Sequence, residues 1–358
     1  MNKLSASRIK VAQTCSWQYW TRYILKLPDK SNDGAKRGTI CHLVFECLGN
    51  PRHKKHYNKI IKNKDIFASK SVKRLVLKNA KAVNVDDKDN LKLIKDMTLS
   101  GLEYDFFGKD EATPTRSQSE EEFNIKIDEK NKKYAIRGFI DKLFLYKKKK
   151  LAVIRDFKSS KQVFKGKEIT NNLQHLMYSL AVKHLYPDYL KRQSEFVFLK
   201  FDLSKDMLGH TGKGLMRMSP ISDEELEGFE YELTEIQKYL DNFNMSCAKS
   251  SYAADQDYPK DGTFGGPLVC GKEGYKMSRG SYVKDSYGNK IESYICSVRK
   301  PMEYYALVDK DGKVLKTCFK EDKKKLQTEK KKGLKIVLKK YEGCPRWKNN
   351  LDFEDRPW

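Results

Sequence analysis

The stretch GFIDKLFLYKKKKLAVIRDFKSS, residues 138 to 160, carries Asp141, Asp156 and Lys158 at the ends of two apolar runs. Side chains alternate between the faces of a strand, so Asp156 and Lys158 point one way and Phe157 the other. If the two runs pair as a hairpin about the lysines at 147 to 150, Asp141 comes near Asp156. Two close carboxylates repel unless a cation neutralises them, and oxygen ligands of this kind suit Mg²⁺ or Mn²⁺. Lys158 beside such an ion would stabilise developing negative charge or position a water. The alternative is that Asp141 and Asp156 are strand ends, with Lys158 their exposed salt-bridge partner.

Two helical stretches add to the set. In GTICHLVFE, Gly38, His42 and Glu46 recur at intervals of four and share one helix face. A histidine facing the carboxylates would be a further ligand, with Glu46 orienting it or joining the site. In NNLQHLMYSLAVKHL, Gln174 and Tyr178 share a face and would bond a phosphate or the attacking water.

The elements that must hold these residues are legible in outline. Residues 5 to 26 read as a helix ended by Pro28, and GAKRGTICHLVFECLGN, residues 34 to 50, as a second stopped by Gly49 and Pro51. Residues 52 to 109 read as a lysine-rich helical insertion. Residues 120 to 158 read as three strands in an antiparallel meander. An amphipathic helix with Leu173, Leu176, Leu180, Ala181 and Leu185 as its stripe follows, then the strand EFVFLKFDL and a helix over 222 to 247 capped by Ser222. The pattern predicts an α/β domain over 1 to 250 with a mixed central sheet flanked by helices. An irregular linker over 251 to 290 and a small lysine-rich α+β unit over 291 to 358 complete the chain.

The chain has 358 residues, with 72 Lys and Arg against 48 Asp and Glu, a net charge of +24. So positive a surface attracts polyanions, and nucleic acid is the partner this charge favours. No apolar run reaches the ~20 residues of a spanning helix, and the N-terminus lacks a signal-peptide pattern, so we expect a cytoplasmic protein with no membrane contact.

These motifs, taken in order, resemble those of PD-(D/E)XK nucleases of the RecB type. SASRIKVAQTCSWQYWTRYI, G-x-x-x-H with its glutamate, GFID, DFK and Q-x-x-x-Y span residues 4 to about 202. The group includes phage exonucleases and CRISPR-associated adaptation nucleases. The resemblance implies a restriction-endonuclease-like core, with His42, Asp141, Asp156 and the Phe157 carbonyl as metal ligands. Lys158 is implied as the catalytic lysine, and Gln174 and Tyr178 as its support. Glu46 fits the helix pattern in a less defined role, and Glu122 matches an acidic position of some members, outside the main set. The implied activity is Mg²⁺- or Mn²⁺-dependent hydrolysis of DNA, as an exonuclease on linear or single-stranded DNA in recombination, repair or phage genome processing. A silent nucleic-acid binder on the same fold and an RNA-directed hydrolase are the alternatives. A protein partner from recombination or replication is not identifiable in the sequence.

Several relatives hold a [4Fe–4S] cluster with one cysteine from the first helix and three near the C-terminus. Cys15 stands at the first position, but Cys270, Cys296, Cys318 and Cys344 lack the tight grouping of the other three. The spacing therefore favours cysteines without metal over a [4Fe–4S] cluster, or over zinc held by some of the last four.

Overall fold

A computed structural model describes residues 1–29, 32–110, 112–204, 212–253, 270 and 296–348. The chain divides into two compact units. The first comprises residues 1–6 and 31–241, and the second joins residues 7–30 to residues 242–358. Apart from residues 251–253 and Cys270, the expected linker over 251–290 lies outside the described residues.

The first unit is built on a five-stranded sheet in the order β1–β5: Arg116–Asp128, Lys133–Tyr146, Leu151–Lys158, Lys191–Phe198 and Leu215–Arg217. The meander is present, with β1, β2 and β3 antiparallel; β3 and β4 run parallel, and β5 returns antiparallel. The mixed sheet flanked by helices fits the restriction-endonuclease-like class expected from the sequence.

Among the described residues the helices before the C-terminal strands include ten, taken in chain order. They are α1 (Ala6–Thr14), α2 (Ser16–Tyr19), α3 (Asp33–Gly49), α4 (Lys54–Asn63), α5 (Lys70–Ala82), α6 (Lys88–Glu103), α7 (Lys167–Thr170), α8 (Leu173–Leu185), α9 (Asp223–Asp241) and α10 (Met245–Ala248). The lysine-rich stretch after residue 52 folds as α4 to α6, whose buried Ile60, Val72, Val76, Ile94 and Met97 share a core with Val44, Phe45, Phe157 and Val197. The start of α3 is fixed by Asn32, whose Oδ1 accepts from the Ala35 N–H at 2.8 Å. Its end lies so close to β1 that a Cβ on Gly49 would stand 2.0 Å from Ser119 Oγ, so only glycine fits.

Three helices depart from the sequence reading, one of them the expected helix over 222 to 247, which is broken into α9, ending at Asp241, and α10, starting at Met245. The expected single helix over 5 to 26 is interrupted at Cys15, which is extended at φ −157°, and resumes as α2 and a π-helical turn over Trp20–Ile24. Helix α8 is buried on the face of His175, Tyr178, Ser179 and Val182 as well as Leu180 and Ala181, while Leu185 is exposed. The reason is polar: His175 Nδ1 meets Ser194 Oγ at 2.7 Å and its Nε2 meets the Ser219 carbonyl at 3.0 Å, which draws that side inward. The Ser222 cap is present as a capping box, since Glu225 N–H donates to Ser222 Oγ at 3.1 Å and Ser222 N–H to Glu225 Oε2 at 2.8 Å.

The second unit holds a three-stranded antiparallel sheet of β6 (Met302–Val308), β7 (Val314–Phe319) and β8 (Lys335–Tyr341), with β6 central. A lysine-rich helix, α11 (Lys323–Glu329), closes one side through buried Leu326. The small three-stranded sheet expected near the C-terminus is therefore present, in a unit that also takes in residues 7–30. No helix among the described residues is long and apolar enough to cross a membrane.

Candidate active site

The ladder between β2 and β3 ends at Lys142 and Arg155, which leaves Asp141 and Asp156 just beyond the last pair. Asp141 holds the two strands together there, its Oδ2 accepting the Phe157 N–H at 2.7 Å. Asp156 is buried, and its Oδ2 lies 2.7 Å from Lys158 Nζ. Helix α8 supplies the rest of this network. Asn172 caps the helix, accepting the N–H groups of Gln174 and His175, and so sets the height of Gln174 above the strand. Gln174 Oε1 accepts from Lys158 Nζ at 2.5 Å, and its Nε2 donates to Asp156 Oδ1 at 2.6 Å and to Tyr178 Oη at 2.5 Å. The Tyr178 hydroxyl in turn donates to Asp156 Oδ1 at 3.3 Å.

Burial raises the Asp156 carboxyl above the usual range, Lys158 opposes that rise, and Asp141 adds to it. Burial also lifts the Tyr178 phenol far above its ordinary value, with Asp156 and Asp141 reinforcing the shift.

Helix α3 brings His42 to the other side of Asp141. Its Nδ1 lies 3.3 Å from Asp141 Oδ1 and its Nε2 3.0 Å from the Phe157 carbonyl. Burial pulls the imidazole down, but the hydrogen bond and charge of Asp141, with the charges of Asp156 and Glu120, outweigh it and lift the group to about 9. The protonated ring donates to both oxygens, so a positive charge already sits among them.

Glu120 completes the group and was missed by the sequence reading. Ligand atoms of His42, Glu120 and Asp141 all lie within 4.8 Å of one another, and no other such group of three occurs among the described residues. Glu120 lies on β1 with φ +51°, in the left-handed region that glycine favours. Burial, then the charge of Asp141, raises its carboxyl to about 7; Glu46 and Asp156 push the same way and His42 opposes them. Glu46 is exposed on α3 within electrostatic reach of Glu120. Glu122 is exposed opposite Phe139 and does not join the group. The run SEEEF offered three candidates at once, and alternation puts Glu120 and Glu122 on the same face, so it could not choose between them.

Behind the site, Arg155 is buried and its Nε and Nη2 donate to Glu195 Oε2 at 3.0 and 2.9 Å. Glu195 also accepts from Arg217 Nε at 2.9 Å, and Asp105 lies 3.4 Å from Arg155. These charges pin β3 to β4 directly beside Asp156. Lys142, on the neighbouring strand, is fully buried among Phe106, Phe107 and Phe144; burial and Arg155 bring its ammonium down to about 7.

In the second unit Cys15, Cys270, Cys296 and Cys344 border one apolar cluster with Trp17, Tyr304 and Tyr341. Their backbones are linked: Cys296 N–H donates to the Cys270 carbonyl at 3.0 Å, Arg299 N–H to the Cys296 carbonyl at 3.0 Å, and Cys344 N–H to the Arg299 carbonyl at 3.1 Å. Burial pushes the Cys270 thiol up to about 12, with Cys296, Cys15 and Cys344 adding to the shift. Cys318 stands apart with Leu307 and Leu326.

A sheet that ends in Asp141 and an Asp156–Phe157–Lys158 strand, with a helix-borne histidine against the acids and a helix-borne glutamine against the lysine, has the arrangement of a nuclease centre. The model of the PD-(D/E)XK nuclease superfamily matches residues 3–260, and the chain belongs to that superfamily. Its members use divalent metal ions, and the His42–Glu120–Asp141 group is a candidate holder for one. No curated protein matches the sequence closely.

Proposed function

We propose that the protein is a Mg²⁺-dependent deoxyribonuclease of the RecB type, acting as an exonuclease on linear or single-stranded DNA in recombination, repair or phage genome processing. The observation that carries this reading is the juxtaposition of two sets of groups. The ligand atoms of His42, Glu120 and Asp141 lie within 4.8 Å of one another, next to a lysine held by Asp156 and Gln174.

The donors fit a hard divalent ion: two carboxylates, an imidazole and the Phe157 carbonyl that His42 already reaches. Asp156 is the further acidic ligand in this reading, and Glu46 a flanking charge. When bound, the ion supplies Lewis acidity toward the scissile phosphate and its attacking water. The chain's own groups do the rest. Lys158 places a fixed positive charge where the phosphate becomes more negative, and Asp156 and Gln174 hold the ammonium so that it does not reorganise during the step. Tyr178 fixes Gln174 from below. The net charge of +24 draws the backbone to this centre.

Labelled linear DNA and a matched RNA, each incubated with Mg²⁺ and with EDTA, test the reading. Cleavage of DNA alone, and only with Mg²⁺, is expected; DNA shifted in a gel but uncut in both conditions would establish a silent binder.

Loading of the ion should also release protons, because ligating nitrogen must be neutral. His42 titrates at about 9 and Glu120 at about 7, so at pH 7 release of roughly 1 to 1.5 protons is expected. Calorimetric titration of Mn²⁺ in two buffers of different ionisation heat measures this directly. In the metal-free protein the raised histidine stabilises the fold below pH 6.5, and that stabilisation is lost as pH rises through about 9.

The convergence of Cys15, Cys270, Cys296 and Cys344 supports a thiolate metal site in the second unit, against the sequence spacing, which favours none. Four thiolates on one zinc lie within about 4 Å of each other, given Zn–S bonds of about 2.3 Å. No three of these sulfurs are grouped within 4.8 Å. A [4Fe–4S] cluster, where each thiolate binds a different iron, does not need so close a grouping. Anaerobic purification should yield a brown protein with about four irons per chain, and Cys296→Ser should lose the colour. A colourless, iron-free wild type would contradict the cluster.

A further inference from the structure

Three cations are carried by chain segments that meet beside the candidate active site, and none has a carboxylate partner among the described residues. Arg37 lies on α3, five positions before His42. Its Nη1 donates to the uncharged Asn90 side chain, and its buried Nε has no partner. Lys200 follows β4, where the Leu199 N–H donates to the Lys158 carbonyl at 2.9 Å, so the chain leaves the sheet next to the end of the DFK strand. Lys161 leaves that same end three residues after Lys158.

The three are close enough to act on one another. Burial, then Arg37 and Lys161, bring the Lys200 ammonium down to about 8. Lys200 and Arg37 both also act on Cys41 of α3, one turn from Arg37. Ser159, which follows Lys158, lines one pocket with Ala35, Gly38, Thr39 and the catalytic His42, Glu120 and Asp141. The packing there is tight: a Cβ on Gly38 would lie 2.5 Å from Ser159 Oγ. Most lysines of this chain spread their charge into solvent, whereas Lys200 and Arg37 are half-buried. Like charges gathered without a counter-charge repel, and an anion seated among them relieves that repulsion.

We propose that Arg37, Lys161 and Lys200 form a subsite for one phosphate group of the nucleic-acid substrate, separate from the scissile phosphate at His42 and Asp141. The subsite rests on the nuclease reading above and adds to it a second anchoring point one short step along the strand. Its ligand is either an internal phosphodiester or a terminal phosphomonoester. Both present the same oxygens to the guanidinium and ammonium groups.

The test uses the full chain carrying Lys158→Ala in EDTA, where in the nuclease reading it binds DNA without cutting it. Affinity for a labelled 12-nucleotide single strand is measured by fluorescence anisotropy, with each internal phosphate replaced in turn by a neutral methylphosphonate, or with the terminal phosphate removed. One replacement is expected to weaken binding about tenfold, and the same replacement less than about twofold once Lys200→Gln is added. An internal position identifies the diester, and the terminal one the monoester. Adding Arg37→Gln, Lys161→Gln and Lys200→Gln together should reduce the salt slope of binding by about 0.7, the value for a single phosphate on a single strand.

A fall of about 2 in that slope marks three independent contacts and overturns the subsite, as does a replacement profile that Lys200→Gln leaves unchanged. Lys200→Arg should retain the wild-type profile. If Lys200→Gln lowers the thermal midpoint, exposed Lys161→Gln carries the same comparison. Failure of the Lys158→Ala chain to bind DNA at all would overturn the nuclease reading and the subsite with it, whereas binding without a privileged position overturns the subsite alone.

Discussion

Asp156→Ala is expected to slow DNA cleavage by about 10³-fold or more, on the order of 4 kcal/mol of transition-state stabilisation, while DNA affinity changes by less than about threefold. The carboxylate has two tasks in this account. In the proposed function it would be an acidic ligand beside Asp141, and in the structure it holds Lys158 at 2.7 Å and Gln174 at 2.6 Å. Without it the ammonium loses its counter-charge and the glutamine its anchor, so the positive charge no longer stands where the phosphate needs it. Lys158→Ala removes that charge alone and should cost about 10²- to 10³-fold. Binding survives both changes because long-range attraction comes from the whole basic surface, not from one buried pair. A quench-flow or gel time course gives the rate and anisotropy gives the affinity; equal losses in both would assign Asp156 to substrate binding.

Glu195→Ala should destabilise the first unit by about 3 to 5 kcal/mol. Its carboxylate faces Arg155 at 2.9 Å and Arg217 at 2.9 Å, and both Arg155 and Glu195 are buried. Removing the acid leaves the Arg155 guanidinium in the core with Asp105 as its remaining counter-charge, beside a buried lysine already pulled down to about 7. Truncation of one member of a buried pair costs far more than loss of the attraction, because the other charge is left without solvent. Chemical denaturation followed by circular dichroism measures the change. Arg217→Ala, which removes a half-exposed partner, should cost less than about 1 kcal/mol. Similar small losses for both variants would show that the network contributes little to the fold.

The strands β1 to β3 were legible because alternation and the lysine turn are local signals. What could not be read was register. The position of Asp141 beside Phe157 depends on where the β2–β3 ladder stops, and that depends on contacts with α3 and α8 far away in sequence. The parallel pairing that sets Arg155 against Glu195 spans 40 positions and leaves no local trace. Both side chains lie in runs that read as ordinary strands. Glu120 was hidden by its own neighbours, since alternation along SEEEF gives no hint of a residue at φ +51°. His42, Asp156, Lys158, Gln174 and Tyr178 were visible because each follows a fixed spacing on one helix or strand. The break at Cys15 carries no glycine or proline to announce it, and the separations among the cysteines conceal their convergence in space.

The proposed function stands or falls on whether His42, Glu120, Asp141, Asp156 and Lys158 form a metal-dependent phosphodiesterase centre. The most direct measurement is digestion of circular, linear double-stranded and single-stranded DNA by the pure protein in Mg²⁺, with an EDTA control and Asp156→Ala alongside. Loss of linear and single-stranded DNA from their ends, with circles intact and with no cleavage in EDTA or by the variant, is the predicted result. Undiminished cleavage by the Asp156→Ala protein would contradict it.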